Sequence, residues 1–170
     1  GCRPVDDQSN HRYSRAPEVE DLAALCAALN REGARYILIG GFAVILHGLV
    51  RTTKDVDLLV DPSPDNVRAI KRALAALPDN AAALMADDEV GRYEVVRVAD
   101  EIVVDLMAQA CGVTYADAIN AGTELFDLQG VSVPVAGPAL LLRMKETLRE
   151  SDRSDERFLR ALLDGRREDR

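Results

Sequence analysis

Tryptophan is absent from this 170-residue chain, and aromatic residues of any kind make up only 4% of it. The core must therefore be built mainly from Ala, Leu and Val. Cysteine and histidine are scarce as well: Cys2, Cys26 and Cys111, with His11 and His47. There is no CxxC pair and no Cys/His quartet, which excludes the usual zinc sites and a disulfide framework as the organiser of the fold. No apolar run approaches the length of a membrane span, and no signal-peptide pattern is visible, so a reducing cytoplasm is the expected location and no membrane partner is expected. Positive charge is in deficit, with 21 basic against 29 acidic residues and a net charge of −8. That excludes a generally basic surface of the kind that binds nucleic acid without selectivity. Residues 75–127 hold eleven acidic and two basic side chains, whereas 128–170 hold eight and nine. A polyanion would have to meet a local patch.

What is present is an ordinary globular composition, 48% hydrophobic and 29% charged. The length suits one domain with a substantial core. Residues 1–17 are polar, contain Pro4 and Pro17, and show no period; they are expected to be a flexible arm. Residues 18–136 are expected to form the main domain and 137–170 a C-terminal helical extension packed on it. Val19, Leu22, Leu25, Cys26 and Leu29 give one apolar helical face, ended by Gly33. Tyr36–Ile39 is a short apolar run stopped by Gly40-Gly41, the pattern of a buried strand entering a tight turn, and a short helix is expected over 42–48. A second strand is expected over 55–60. Ser63 is the expected N-cap of a helix with Pro64 at its first position. Strands are expected near 93–98 and 101–107, a short helix at 114–121 and a hairpin over 124–135 turning at Gln129-Gly130. Two closing helices are expected over 137–149 and 153–164. Strands and helices mix without strict alternation, which predicts an α+β fold: a small mixed β-sheet flanked by helices, with helices at the C-terminus.

The chemistry concentrates between Ile39 and Val60. Asp55 and Asp57 are two apart on a strand, so both carboxylates project from one face while Val56 and Leu58 point into the core. Two such carboxylates repel, and one tends to take up a proton unless a divalent cation keeps both ionised. Hard oxygen ligands on a rigid strand suit Mg²⁺. Gly40-Gly41 would let the backbone approach a phosphate closely at a helix start. Neither a Walker A loop nor the GxGxxG fingerprint is present.

Gly-Gly, thirteen intervening residues, then Asp55-Val56-Asp57-Leu58 resembles the signature of the nucleotidyltransferase superfamily that shares the DNA polymerase β-like catalytic fold. The fuller run Ile39 to Gly48, then Arg51-Thr52-Thr53-Lys54-Asp55, resembles its small bacterial branch, which includes abortive-infection-type toxins of toxin–antitoxin pairs and antibiotic-modifying enzymes. The resemblance covers residues 20–163 and implies a third carboxylate on a neighbouring strand. Asp105, alone in the apolar run Ile102–Leu106, is the residue that would join the metal site and accept the proton of the attacking hydroxyl. The implied reaction moves a nucleoside monophosphate from an NTP to an acceptor hydroxyl and releases pyrophosphate. Two Mg²⁺ ions would be held by Asp55, Asp57 and Asp105.

The resemblance also implies nucleotide-binding roles for Gly40, Gly41, Arg51, Thr52 and Lys54, and for Lys145 with the cluster that follows it. Lys145, Arg149 and Asp152 fall at i, i+4 and i+7, hence on one face if the segment is one helix. Between Asp152 and Asp155 the spacing does not choose. His47 is expected to pack and bond locally, and Cys26 and Cys111 to act as small apolar residues. The expected acceptor is RNA, a tRNA 3′ end in particular, or a protein side chain, with an antitoxin protein as a partner. An aminoglycoside-type antibiotic is the alternative acceptor, given the acidic middle segment. A nucleotide- or partner-binding module without turnover is the third reading.

Overall fold

In a computed structural model, residues 14–145 and 150–170 are described, the side chains of Glu150 and Ser151 excepted. The apolar face anticipated near the N-terminus forms helix α1 (Val19–Arg31), which buries Leu22, Leu25, Cys26 and Leu29. Gly33, at φ +67°, takes the left-handed turn that follows. Strand β1 (Tyr36–Ile39) is buried at every position, so it reads as a continuous apolar run. Helix α2 (Gly40–Leu46) starts two residues earlier than the sequence suggests, because the two glycines themselves form its first turn.

Strand β2 (Asp55–Val60) runs back antiparallel to β1, and helix α3 (Pro64–Leu74) follows. Ser63 is the N-cap by position, but its hydroxyl makes no cap bond and accepts instead from Arg35 Nη2 at 3.1 Å. After a 3₁₀ turn (Ala81–Leu84) and the single-turn α4 (Glu89–Arg92) come β3 (Val96–Ala99) and β4 (Val103–Met107). A two-residue pair, β5 (Gln109–Ala110) and β6 (Val113–Thr114), leads to α5 (Tyr115–Asn120), whose first turn is closed by a Thr114–Asp117 capping box. The hairpin β7 (Thr123–Leu128) and β8 (Val131–Ala136) turns at Gln129 and Gly130, both at positive φ. Helices α6 (Pro138–Arg143) and α7 (Glu150–Glu168) end the chain.

One six-stranded mixed sheet, ordered β3-β4-β2-β1-β8-β7, carries the fold. The β1–β2, β3–β4 and β7–β8 pairs are antiparallel, whereas β2–β4 and β1–β8 are parallel. The core is aliphatic, as the shortage of aromatics requires: Leu38, Leu58, Leu59, Ile70, Leu106 and Leu141 are fully buried. Leu159 of α7 joins the same core as the sheet. No described helix is long and apolar enough to cross a membrane.

Two residues of the expected arm are held: Ser14 Oγ donates to Asp100 O, Arg15 N to Glu101 O, and Arg15 forks onto Asp21. Residues 1–13 lie outside the described part. Cys26 is buried and free, and its thiol is pushed up to about 11 by that burial. Cys111 departs from the expectation of a small apolar residue, because it is disulfide-bonded.

Asp100 is a buried charge with a structural task. Its carboxylate accepts from the backbone N–H groups of Asp79 and Ala81 at 3.0 and 2.9 Å, and from that of Glu101 at 2.7 Å. Desolvation works against the ionised form, but the three donors outweigh it and hold the carboxyl below its ordinary value. A depressed folded-state value means stability present above the unfolded value and lost as pH falls through the folded one. Asp100→Ala should therefore lower the unfolding free energy at pH 7 by about 2–3 kcal/mol. The gap to wild type should shrink below about pH 4, as urea titrations at pH 7 and pH 3 would show.

Candidate active site

The sheet register places the acidic residues. Asp57 stands opposite Asp105 in the parallel β2–β4 pair, and Asp105 stands opposite Arg97 in the antiparallel β3–β4 pair. Directly opposed residues share a face of the sheet, and Asp55 shares it by its two-residue offset from Asp57. The three carboxylates converge, with one oxygen from each lying within 4.8 Å of the others. Asp105 is on an interior strand and only 1% exposed, whereas Asp55 and Asp57 are half-buried. Burial first, then the neighbouring charges of Asp55 and Asp105, push the Asp57 carboxyl well above the usual carboxylate range, against the pull of Lys145 and Arg97.

Gly40 makes this packing possible. At φ +72° it turns the chain from β1 into α2, directly against the Asp57 carboxylate. A Cβ there would lie 2.1 Å from Asp57 Oδ2, so neither the conformation nor the space admits a side chain. Gly41 is enclosed on another side: its Cβ would stand 2.8 Å from Thr53 Oγ1 and 3.5 Å from Arg51 Cζ. The second glycine thus holds the Arg51–Thr53 segment close to the start of α2.

The cations expected around the triad are assembled by a buried carboxylate from α7. Asp155, with no exposed surface, receives Arg51 Nη1 and Lys145 Nζ on the same oxygen, the lysine contact being 2.9 Å. Its other oxygen, Oδ1, is buried without a hydrogen-bond partner among the described residues. Lys145 also meets Asp152 at 3.2 Å. Lys145 and Asp152 do not share a helix face as expected, because α6 ends at Arg143 and Lys145 follows it outside any helix. The two residues meet across an element boundary instead. Arg149 lies outside the described residues. Of the other expected nucleotide contacts, Thr52 and Lys54 are exposed, and it is Thr53 that packs on Gly41. His47 bonds over a long range to Ala136 O at 2.9 Å and packs edge-on against Phe126, so its bond is not the local one expected.

Two site residues escape the sequence motifs. Asp155 is left undecided by spacing, and the ion pairs single it out. Arg97 carries no motif at all. It forks onto Asp105 with Nε and Nη2, both at 2.8 Å, and Nη2 reaches Asp55 Oδ2 at 3.2 Å. A signal existed: Arg97 is a lone basic residue between Val96 and Val98, in a stretch with only one other, Arg92. Like Asp105, Arg97 is a charge among apolar neighbours and so needs a partner.

No family model matches the sequence, and no curated protein matches it. Solved structures do resemble the fold. A nucleotidyltransferase-like antigenic protein of Paracoccidioides brasiliensis superposes with a TM-score of 0.56 at 18% identity, over 87% of this chain and 78% of that one. A candidate nucleotidyltransferase from Thermotoga maritima gives 0.53 at 15% identity, over 92% of this chain and 99% of that one. At such identities the likeness is one of fold: this chain has the α+β architecture of nucleotidyltransferase-like proteins.

The glycine geometry is directly testable. Gly33 has a similar positive φ, but a Cβ added to it would meet nothing within 4 Å, so Gly33→Ala should cost about 1–2 kcal/mol from backbone strain alone. Gly40→Ala adds a collision with Asp57 and should cost clearly more in the same urea titration. Equal costs would mean that the Gly40–Asp57 contact constrains nothing.

Proposed function

We propose that this protein is a Mg²⁺-dependent nucleotidyltransferase that moves a nucleoside monophosphate from an NTP to an acceptor hydroxyl. The observation that carries the reading is the convergence of Asp55, Asp57 and Asp105 from two adjacent strands, with Gly40 pressed against them, on a fold shared with nucleotidyltransferase-like proteins. The donor set fits the implied metal: three carboxylates within reach of one another offer hard oxygen ligands, and a divalent cation would answer both the burial and the repulsion that raise Asp57. Asp55 and Asp57 would hold two ions and Asp105 one of them. Mg²⁺ held there supplies charge neutralisation for the triphosphate and aligns attacking and leaving oxygens.

The chain's own groups do the rest. Arg51 and Lys145, held by Asp155, are cations fixed in place before substrate arrives, so little ordering remains when a triphosphate binds. Gly40 and Gly41 keep side chains out of the way where backbone and carboxylates meet. Asp105 is the group that takes the proton of the attacking hydroxyl. Positioning and electrostatics supply most of the rate in such a reaction.

For the acceptor we favour the end of an RNA, a tRNA 3′ end in particular, over a protein side chain. Helix α7 borders a cleft of about 640 Å³ lined by Arg153, Glu156, Arg157 and Arg160. The same helix delivers Asp152 and Asp155 to the site, so this local basic surface sits on the element that braces the nucleotide clamp. It is the kind of patch a polyanion needs on a chain of net charge −8. A toxin-type role with an antitoxin partner follows from the resemblance of the Arg51–Asp55 segment.

The test is a transfer assay with Mg²⁺ and each α-labelled NTP, offered total RNA, the protein itself and an aminoglycoside. Label should reach RNA and be lost at least about a thousandfold in Asp57→Asn, in keeping with a role in the transition state. The folded-state carboxyl of Asp57 is raised, so its ionisation opposes folding above the ordinary carboxylate value. Asp57→Asn should therefore melt no lower than wild type at pH 7. Full transfer by that variant would sink the reading, and label on the aminoglycoside alone would replace the acceptor.

A further inference from the structure

The fork of Arg97 bears on how the site is loaded. Its Nε and Nη2 take one oxygen each of Asp105, both at 2.8 Å, and Nη2 also reaches Asp55 Oδ2 at 3.2 Å. The contact is fixed by register, since Arg97 and Asp105 are directly opposed in β3 and β4. It is also sheltered, with the Arg97 side chain 16% exposed and that of Asp105 1%. A bidentate guanidinium–carboxylate pair in such surroundings is among the stronger polar contacts a protein makes. Yet the oxygens it engages belong to two of the three carboxylates that would ligate a metal.

Building on the metal-dependent reading above, we propose that Arg97 is a positioning residue that competes with the divalent cation for Asp105 and so couples metal loading to the arrival of the triphosphate. A cation and a guanidinium repel, and both seek the same lone pairs. Loading at Asp105 therefore requires Arg97 to loosen its fork. A triphosphate favours this twice: it adds metal ligands of its own, and it offers the guanidinium another anion. Metal and nucleotide then strengthen one another's binding, by equal factors, through Arg97. Before nucleotide arrives, the fork keeps the Asp105 carboxylate plane aligned and its charge compensated, so the base is preformed but guarded. Lys145 acts on the triad through its charge at Asp57, but its ammonium and the Arg51 guanidinium are engaged by Asp155, whereas Arg97 bonds Asp105 directly.

The experiment is calorimetric titration of Mn²⁺ into the full chain, with and without a non-hydrolysable α,β-methylene NTP, for wild type, Arg97→Met, Arg97→Lys and Asp57→Asn. In the absence of nucleotide, Arg97→Met should bind Mn²⁺ about tenfold more tightly than wild type. The factor by which nucleotide enhances Mn²⁺ binding should shrink correspondingly in that variant. Arg97→Lys, which keeps the charge but loses the fork, should fall between the two. It also serves as the test if Arg97→Met does not fold. A uniform rise in affinity with the nucleotide enhancement unchanged would mean a mere field effect and would overturn competition. Equal or weaker Mn²⁺ binding in both Arg97 variants, with binding lost in Asp57→Asn, would overturn the inference and leave the metal site standing. Mn²⁺ binding indifferent to Asp57→Asn would overturn the metal site itself and this inference with it.

Discussion

Three carboxylates held together on one face of a sheet are the constraint on which the rest of this structure depends. Like charges at this separation, partly removed from water, cost free energy unless something positive answers them. The fold answers at several levels. Gly40 packs the chain against Asp57 with no side chain between them. Arg97 is brought opposite Asp105 by strand register. Lys145 and Arg97 both pull against the rise in the Asp57 carboxyl, and they do not overcome it. The site is thus left with an unmet demand for positive charge, which is a chemical property and not a defect of packing.

Asp155 shows how far the fold goes to keep its cations in place. A fully buried carboxylate with one oxygen unsatisfied among the described residues is a poor choice for stability alone. It serves to bring Arg51, from the segment before β2, and Lys145, from the segment after α6, to one point. The terminal helix is thereby tied to the site through Asp152 and Asp155 and to the core through Leu159. Apolar burial and ion pairing act on one face of a single helix, where Asp152, Asp155 and Leu159 fall at i, i+3 and i+7. The same helix leaves its arginines exposed, which is why a chain with a net negative charge can still present a basic surface.

Much of the architecture is legible because local chemistry and tertiary context agree. Tyr36–Ile39 is uniformly apolar and is buried on both faces, so its strand limits coincide with the pattern. The hairpin turn at Gln129-Gly130 is legible from Gly130, which takes positive φ without steric cost, whereas Gln129 adopts it against its own preference. Disagreement falls where context overrides local preference. Ser63 is an ideal cap by type, yet Arg35 draws its hydroxyl away. The spacing of Lys145 and Asp152 suggests one helix, yet the helix stops at Arg143 and the pair forms across the break. His47 bonds to a strand far along the chain because α2 packs against α6, the helix that follows β8.

The sequence by itself determined the Asp55/Asp57 pair, the glycine turn before it and the apolar strands that carry both. These depend on periods of two and on backbone freedom, which are local properties. It also marked Asp105 as a charge among apolar neighbours needing a partner. Only the tertiary structure decided which partners these residues have. That Arg97 forks onto Asp105, and that Asp155 gathers Arg51 and Lys145, follows from strand register and from the docking of a terminal helix. Asp155 lies 104 positions from Arg51, and no local rule connects residues so far apart; Arg97 and Asp105 are only 8 apart, but they meet because β3 and β4 pair in one particular register.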